Sequence, residues 1–102
     1  MLVLNTTYHT DAGEEQLFLT WLTQYVLPEE EKLALLKRPR ICRVLSQADG
    51  DEGATLCLQF EAADSAVLHR WWQVQARKRD EEMRRIFGEK VVGFSTLMEV
   101  VE

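Results

Sequence analysis

Apolar residues along this chain change period several times, and each change marks an element. Leu2 to His9 is apolar and threonine-rich, without glycine or proline, which is strand composition. Leu2, Leu4, Thr6 and Tyr8 fall on one side of that strand, and Val3, Asn5, Thr7 and His9 on the other. Asp11, with Glu14 three residues on, resembles a capping box. Leu17, Phe18, Trp21, Leu22, Tyr25 and Val26 then recur at helical spacing and predict an amphipathic helix. Pro28 breaks or restarts it. Glu29, Glu30 and Glu31 suit the positive end of a second, short helix through Leu36.

Pro39 closes that helix, and residues 40–47 read as a strand around Ile41, Val44 and Leu45. Residues 48–53 are a turn cluster rich in Asp and Gly. Leu56, Leu58 and Phe60 next alternate with Thr55, Cys57, Gln59 and Glu61, the clearest strand of the chain, and the pair makes a hairpin. Depending on the loop register, Cys57 lies opposite Cys42 or Arg43. Asp64 or Ser65 caps a long helix to about Phe87. At about 100° per residue, Leu68, Trp72, Ala76, Met83 and Ile86 share one face, with Trp71 at its edge. Gly88 is a natural stop. The last strand, 91–101, sets Val92, Phe94, Met98 and Val100 against Gly93, Ser95 and Glu99.

Strand, helix, strand, strand, helix, strand is the α+β order of a ferredoxin-like βαββαβ unit: a four-stranded antiparallel sheet with helices on one face. The 102 residues are expected to form one domain, 1–102. Two helices can cover only one sheet face. The uncovered face would carry Val3, Asn5, Thr7, His9, Thr55, Cys57, Gln59, Ser95 and Leu97. Amides, hydroxyls and small apolar groups there, in place of Lys and Glu, suit a wet protein contact, so the chain is expected to form a homodimer through this face. The dimer interface is assigned to Val3, Asn5, Thr7, His9, Gln59, Ser95 and Leu97.

Charge narrows the partners. Twelve Lys and Arg stand against 17 Asp and Glu, a net charge of −5, which disfavours nucleic acid and anionic membranes. The basic residues Arg77, Lys78, Arg79, Arg84 and Arg85 are interleaved with Asp80, Glu81 and Glu82, the pattern of i,i+4 pairs on a solvated helix face. The N-terminus lacks the features of a signal segment and no run is long and apolar enough for a membrane span, so a soluble, cytoplasmic protein is expected. Two cysteines and two isolated histidines offer no zinc spacing, and no metal or cofactor is implied.

Three residues stand out as ligand-binding candidates. Arg79 lies mid-stripe beside Gln75, where its guanidinium could hold an anionic group; the plainer account is an ion pair with a strand glutamate or extension to the rim. Trp72 on the core stripe could line a cavity for a planar ligand, or simply fill the core. Asn5 would border such a cavity. His9 reads as a satisfied interface histidine, and no catalytic residue can be assigned.

Several short segments carry a resemblance. They are Leu4-Asn5-Thr6-Thr7-Tyr8-His9, Arg43-Val44-Leu45, Leu58-Gln59-Phe60 and, most distinctive, residues 87–94 from Phe87-Gly88-Glu89 to Gly93-Phe94. With them the chain resembles the domain-of-unknown-function family numbered 4286, short bacterial proteins. The resemblance implies a dimeric α+β barrel of ferredoxin-like subunits and no activity. The wider superfamily includes cofactor-free monooxygenases and haem-degrading enzymes. The latter use a strand Asn, a Trp and a helical His; here His69 precedes the tryptophans, and positions 75–83 hold no His, so that triad is not matched. The leading functional expectation is a homodimeric protein- or small-molecule-binding module. The second is a cofactor-independent monooxygenase with its pocket between helices and sheet.

Overall fold

The computed structural model describes residues 1–45 and 53–102. Strands β1 (Leu2–Thr10), β2 (Lys37–Arg43), β3 (Ala54–Ala62) and β4 (Val91–Glu99) form one antiparallel sheet in the order β2-β3-β1-β4. Helices α1 (Glu15–Trp21) and α2 (Leu27–Leu33) connect β1 to β2, and α3 (Ser65–Trp71) and α4 (Arg77–Phe87) connect β3 to β4. This is the ferredoxin-like arrangement with an open sheet. Of the expected turn cluster at 48–53, residues 48–52 lie outside the described residues.

Pro28 neither breaks nor restarts the first helix. A π turn at Leu22–Val26 joins α1 to α2, and the Leu27 N–H donates to the Leu22 carbonyl. Pro28 follows in the first turn of α2, where its missing N–H does least harm. Helix α2 ends at Leu33, short of Leu36, because Ala34 takes a left-handed φ of 58° and closes on the Glu30 carbonyl. Pro39 therefore stands inside β2, not at a helix end. It sits beside a register irregularity between Lys37 and Arg40 on an edge strand, where a missing donor is tolerated.

The second helix also carries a π turn, Trp72–Ala76, and this corrects the expected face. The buried residues are Leu68, Trp71, Gln75, Arg79, Met83 and Phe87, nearly all four apart. In a straight α-helix each four-residue step overshoots a full turn by about 40°; the wider π turn takes back part of that drift. Trp71 thus holds the core position at 8% exposure. Trp72 is 54% exposed and Ile86 also lies outward.

Core packing centres on Phe18, which has no exposed surface. Its ring lies 4.9 Å from Tyr8, 5.7 Å from Trp21 and 5.3 Å from Phe87, mostly edge to face. Leu56, Leu58 and Phe60 supply the sheet side, as their alternation predicts.

Register fixes the two faces. Cys42 stands opposite Cys57, resolving the hairpin slip. In β4, Thr7 pairs with Phe94, His9 with Val92 and Val3 with Met98. Directly opposed residues share a face. Val92, Phe94, Thr96 and Met98 therefore lie on the open face with Val3, Asn5, Thr7 and His9, while Ser95 and Leu97 lie on the helix side. The expected placement of Ser95 and Leu97 on the uncovered face is thereby corrected. Gly93 explains the choice: it opposes Tyr8, and a Cβ there would stand 2.6 Å from the Tyr8 ring.

Helix starts provide a direct test. Asp64 accepts a hydrogen bond from the Val67 N–H at 2.9 Å, whereas α1 begins after Glu14 with no side-chain cap, Asp11 contributing only backbone bonds. Asp64→Ala should cost about 1 kcal/mol in urea denaturation, and Asp11→Ala less than about 0.5 kcal/mol. Equal losses would mean that the capping box forms.

Candidate functional site

The helical layer stands away from the edge of the sheet at β4 and leaves a cleft of about 620 Å³. Its walls include Trp71, Trp72, Arg79 and Met83 from the second helix, and Thr6, Tyr8, Gly93 and Ser95 from the sheet. Two of the three predicted ligand residues, Trp72 and Arg79, meet here. Asn5 does not. It lies on the opposite sheet face, where its amide is held by Gln59 and Thr7, so its expected place at the cavity border is corrected.

Trp72 rests edge to face on Trp71 with centroids 6.1 Å apart, and leaves much of its own surface to solvent. A large half-exposed aromatic is costly to hydrate and offers a flat apolar wall. The sheet side is polar but neutral. Thr6 and Ser95 share a 3.0 Å hydrogen bond between their hydroxyls. Burial pushes the Tyr8 phenol up to about 12, although the nearby Arg79 charge works against it. Tyr8 thus stays protonated at neutral pH and can donate a hydrogen bond but not act as a base.

Arg79 is buried and already paired, but with helix glutamates and not with a strand. Its Nη1 lies 3.1 Å from Glu30 Oε2, and its Nη2 lies 3.4 Å from Glu29 Oε1. The contact to Glu30 Oε2 lacks hydrogen-bond geometry and is a charge pair only. Glu30 Oε1 accepts from the Trp71 indole N–H at 2.8 Å, and Gln75 Nε2 donates to Glu29 Oε1. Lys78 adds a 3.6 Å pair to Glu29 at the rim. Trp71, Gln75 and Arg79 thus project from one helix at four-residue intervals and clamp two consecutive glutamates on the other. Sequence reading found Arg79 and Gln75 on the inner face. It missed their partners, because Glu29 and Glu30 followed a proline and read as charges at a helix start. The unused signal was three polar-capable residues at i, i+4, i+8 on a core stripe.

On the basic stretch, Arg77 pairs with Glu81 at 3.3 Å and Arg84 with Asp80 at 3.0 Å, both i,i+4 as expected. Among the described residues no three His, Cys, Asp or Glu side chains converge in a metal-binding group, and no helix is long and apolar enough to cross a membrane. The cleft therefore offers an aromatic wall, neutral hydroxyls and a guanidinium whose charge is already matched.

The open face has its own order. Gln59 Nε2 donates to Asn5 Oδ1 at 3.1 Å, Asn5 Nδ2 donates to Thr7 Oγ1 at 3.0 Å, and Thr7 Oγ1 lies 3.7 Å from Cys57 Sγ. His9 Nδ1 meets Thr55 Oγ1 at 3.2 Å. Beside this polar ladder β4 sets out Val92, Phe94 and Met98, all exposed, with Phe94 at 65%. Sequence reading turned these three toward the core.

The two glutamates give opposite pH signatures. Burial raises the Glu30 pKa above its ordinary 4.5, with Arg79 opposing. The folded state holds that proton more tightly than the unfolded state, so this contribution is complete below about 4.5 and is lost as pH rises through the raised value. The Gln75 bond, aided by Arg79 and Lys78, lowers the Glu29 pKa. Its contribution is present above about 4.5 and is lost as pH falls through the lowered value. Replacing Glu30 with Gln should remove the first component only. Relative to wild type, Glu30→Gln should then gain stability as pH rises from 4.5 toward 7 in urea titrations. Arg79→Met should cost about 3–5 kcal/mol by stranding Glu30, and adding Glu30→Gln should recover part of that loss. A small effect of Arg79→Met alone would mean that the pair is solvated.

Comparison with known proteins places this geometry. No curated protein matches the chain. Among solved structures, a putative antibiotic biosynthesis monooxygenase from Deinococcus radiodurans superposes with a TM-score of 0.71 at 13% identity, covering 100% of this chain and 94% of that one. A dimeric ferredoxin-like protein from an uncultured marine organism gives 0.67 at 17% identity, covering 100% and 96%. A mutant of SnoaB, a cofactor-independent oxygenase from Streptomyces nogalater, gives 0.62 at 12% identity, covering 99% and 94%. At these identities the likeness is one of fold. The family model described as "Domain of unknown function (DUF4286)" matches residues 1–101, and the chain belongs to that family.

Proposed function

We propose that this protein is a homodimeric small-molecule-binding module that holds a planar, largely apolar ligand in the helix–sheet cleft of each protomer. The carrying observation is Trp72, a large aromatic left 54% exposed on the wall of a cleft of about 620 Å³. That volume lies in the range of sites for drug-sized ligands. Neutral hydroxyls from Thr6, Tyr8 and Ser95 would orient polar substituents, and the matched charge of Arg79 leaves little preference for an anion.

Dimerisation would use the open face, with the seam centred on β1 and β4. Val92, Phe94 and Met98 give it an apolar strip, while Val3, Asn5, Thr7, His9 and Gln59 give the polar remainder. Two such sheets would pack about 10 Å apart. The dimeric ferredoxin-like neighbour supports this reading. A reducing, cytoplasmic setting suits the two free thiols.

A second reading, cofactor-independent oxygenation of an aromatic substrate, draws on the same cleft and on the two oxygenase-type neighbours. It requires a base to activate the substrate. The nearest carboxylate on the cleft wall is Asp80, which is paired with Arg84. Binding without catalysis is the better fit to these groups.

Light scattering after size exclusion at tens of micromolar should return about twice the 11.9 kDa chain mass, and Phe94→Glu should shift the protein toward the monomer without unfolding it. A wild-type species at 11.9 kDa would sink the dimer. A thermal-shift screen of planar aromatic compounds should give hits whose stabilisation is lost in Trp72→Ala, while that variant alone melts close to wild type. Hits that stabilise both proteins equally bind elsewhere. Oxygen uptake with any hit, abolished in Trp72→Ala, would favour the second reading.

A further inference from the structure

Cys42 and Cys57 are direct cross-strand partners on β2 and β3; neither lines the cleft, and Cys57 borders the proposed dimer seam through Thr7. Both are free thiols; Cys42 is exposed and Cys57 is half-buried. Opposed residues on antiparallel strands point to the same side of the sheet, here the open one. Their spacing follows from the ladder. The Val44 N–H donates to the Thr55 carbonyl at 2.9 Å, which marks that opposed pair as hydrogen-bonded. Alternation makes the pair two residues along, Cys42 and Cys57, hydrogen-bonded as well, with a Cα separation of about 5.5 Å. Disulfides span Cα separations of about 4.4–6.8 Å. The backbone holds the two thiols side by side, and closing the bond needs the strands to bring their Cβ atoms to about 3.5–4.5 Å, closer than a hydrogen-bonded pair normally sets them. Arg40 to Arg43 keep regular pairing, so the irregularity at Lys37 does not reach the site.

We propose that Cys42 and Cys57 form a reversible thiol–disulfide switch, with Cys42 as the reacting thiol and Cys57 as the resolving one. The difference in exposure assigns the roles. With hydrogen peroxide as oxidant, the Cys42 sulfur takes one oxygen by breaking the O–O bond, giving a sulfenic acid and a first water. The Cys57 sulfur then attacks the Cys42 sulfur, the S–O bond breaks, and the hydroxyl leaves as a second water. Two thiols and one peroxide give one disulfide and two waters. A small dithiol such as dithiothreitol reverses the reaction by exchange. Closing the bond draws Cys57 Sγ toward β2 and away from Thr7 Oγ1, now 3.7 Å distant, and so detaches the end of the Gln59–Asn5–Thr7 ladder. It also pins the edge strand β2, which has no fully buried side chain, to its neighbour.

The test is peroxide treatment of the full chain, followed by denaturation, alkylation with N-ethylmaleimide and intact-mass measurement. Wild type should pass from two alkylated sites to none, with a 42–57 link in the peptide map, and return to two after dithiothreitol. The oxidised form should melt about 5 °C or more above the reduced form. Cys57→Ser should accumulate a sulfenic acid at Cys42 that dimedone traps, whereas Cys42→Ser should react at least tenfold more slowly. The switch is overturned if wild type keeps two alkylatable sites, if its only disulfides join separate chains, or if the link proves irreversible. Equal peroxide reactivity of the two serine variants would overturn the assigned roles. The wild-type mass and peptide map decide the central claim even if a variant fails to fold.

Discussion

Every face in this protein is set by the pairing of β1, which lies in the middle of the sheet and matches β3 and β4 over its full length. Side chains alternate with period two, so one register decides which half of three strands is buried. Leu4, Tyr8 and Thr10 turn to the helices and draw Leu56, Leu58 and Phe60 with them. The same register sends Val92, Phe94 and Met98 outward on β4. A slip of one residue would bury Asn5, Thr7 and His9 against Phe18 and expose the core. The polar ladder and the face of the cleft are therefore consequences of a single alignment, while the cysteine pair follows from the separate pairing of β2 with β3.

The clamp between helices follows a different logic. Removing Glu30 and Arg79 from water is expensive, and a well-packed apolar pair is often as stable as a buried ion pair. What the charged version adds is selectivity of docking. Trp71, Gln75 and Arg79 can satisfy the two glutamates only at one height of one helix against the other, so the interaction fixes how the two helices sit side by side.

The overall architecture was legible because strong periodic signals carry it. Alternation at 55–61 and helical spacing at 17–26 each admitted one element, and Asp64 marked its helix by capping. The candidate site was legible only in part. Trp72 and Arg79 were singled out, yet Trp72 was placed inward, since no local feature of residues 72–76 announces a π turn and a fixed angle per residue carries its error along the helix. Ser95 and Leu97 went astray for a related reason, whereas Asn5 was put on the right face and only wrongly at the cavity border. Alternation tells which residues of a strand go together, but not which set faces the helices. On β1 the larger apolar residues decided correctly. On β4 both sets contain apolar residues, and the deciding residue was Gly93, whose importance lies in the ring across from it. Glu29 and Glu30 escaped notice because their role depends on another helix.

That glycine has a consequence beyond strand orientation. With a hydrogen in place of a side chain, Gly93 lets the Tyr8 ring lie against β4, and both residues line the cleft. The hollow is thus partly a subtraction, space kept free by a residue with no side chain opposite a large ring. Its depth is encoded at a position that would contribute almost no binding surface of its own. Adding carbon at 93 would push the Tyr8 ring aside and carry its hydroxyl with it, so the shape of the mould and one of its polar groups are fixed together.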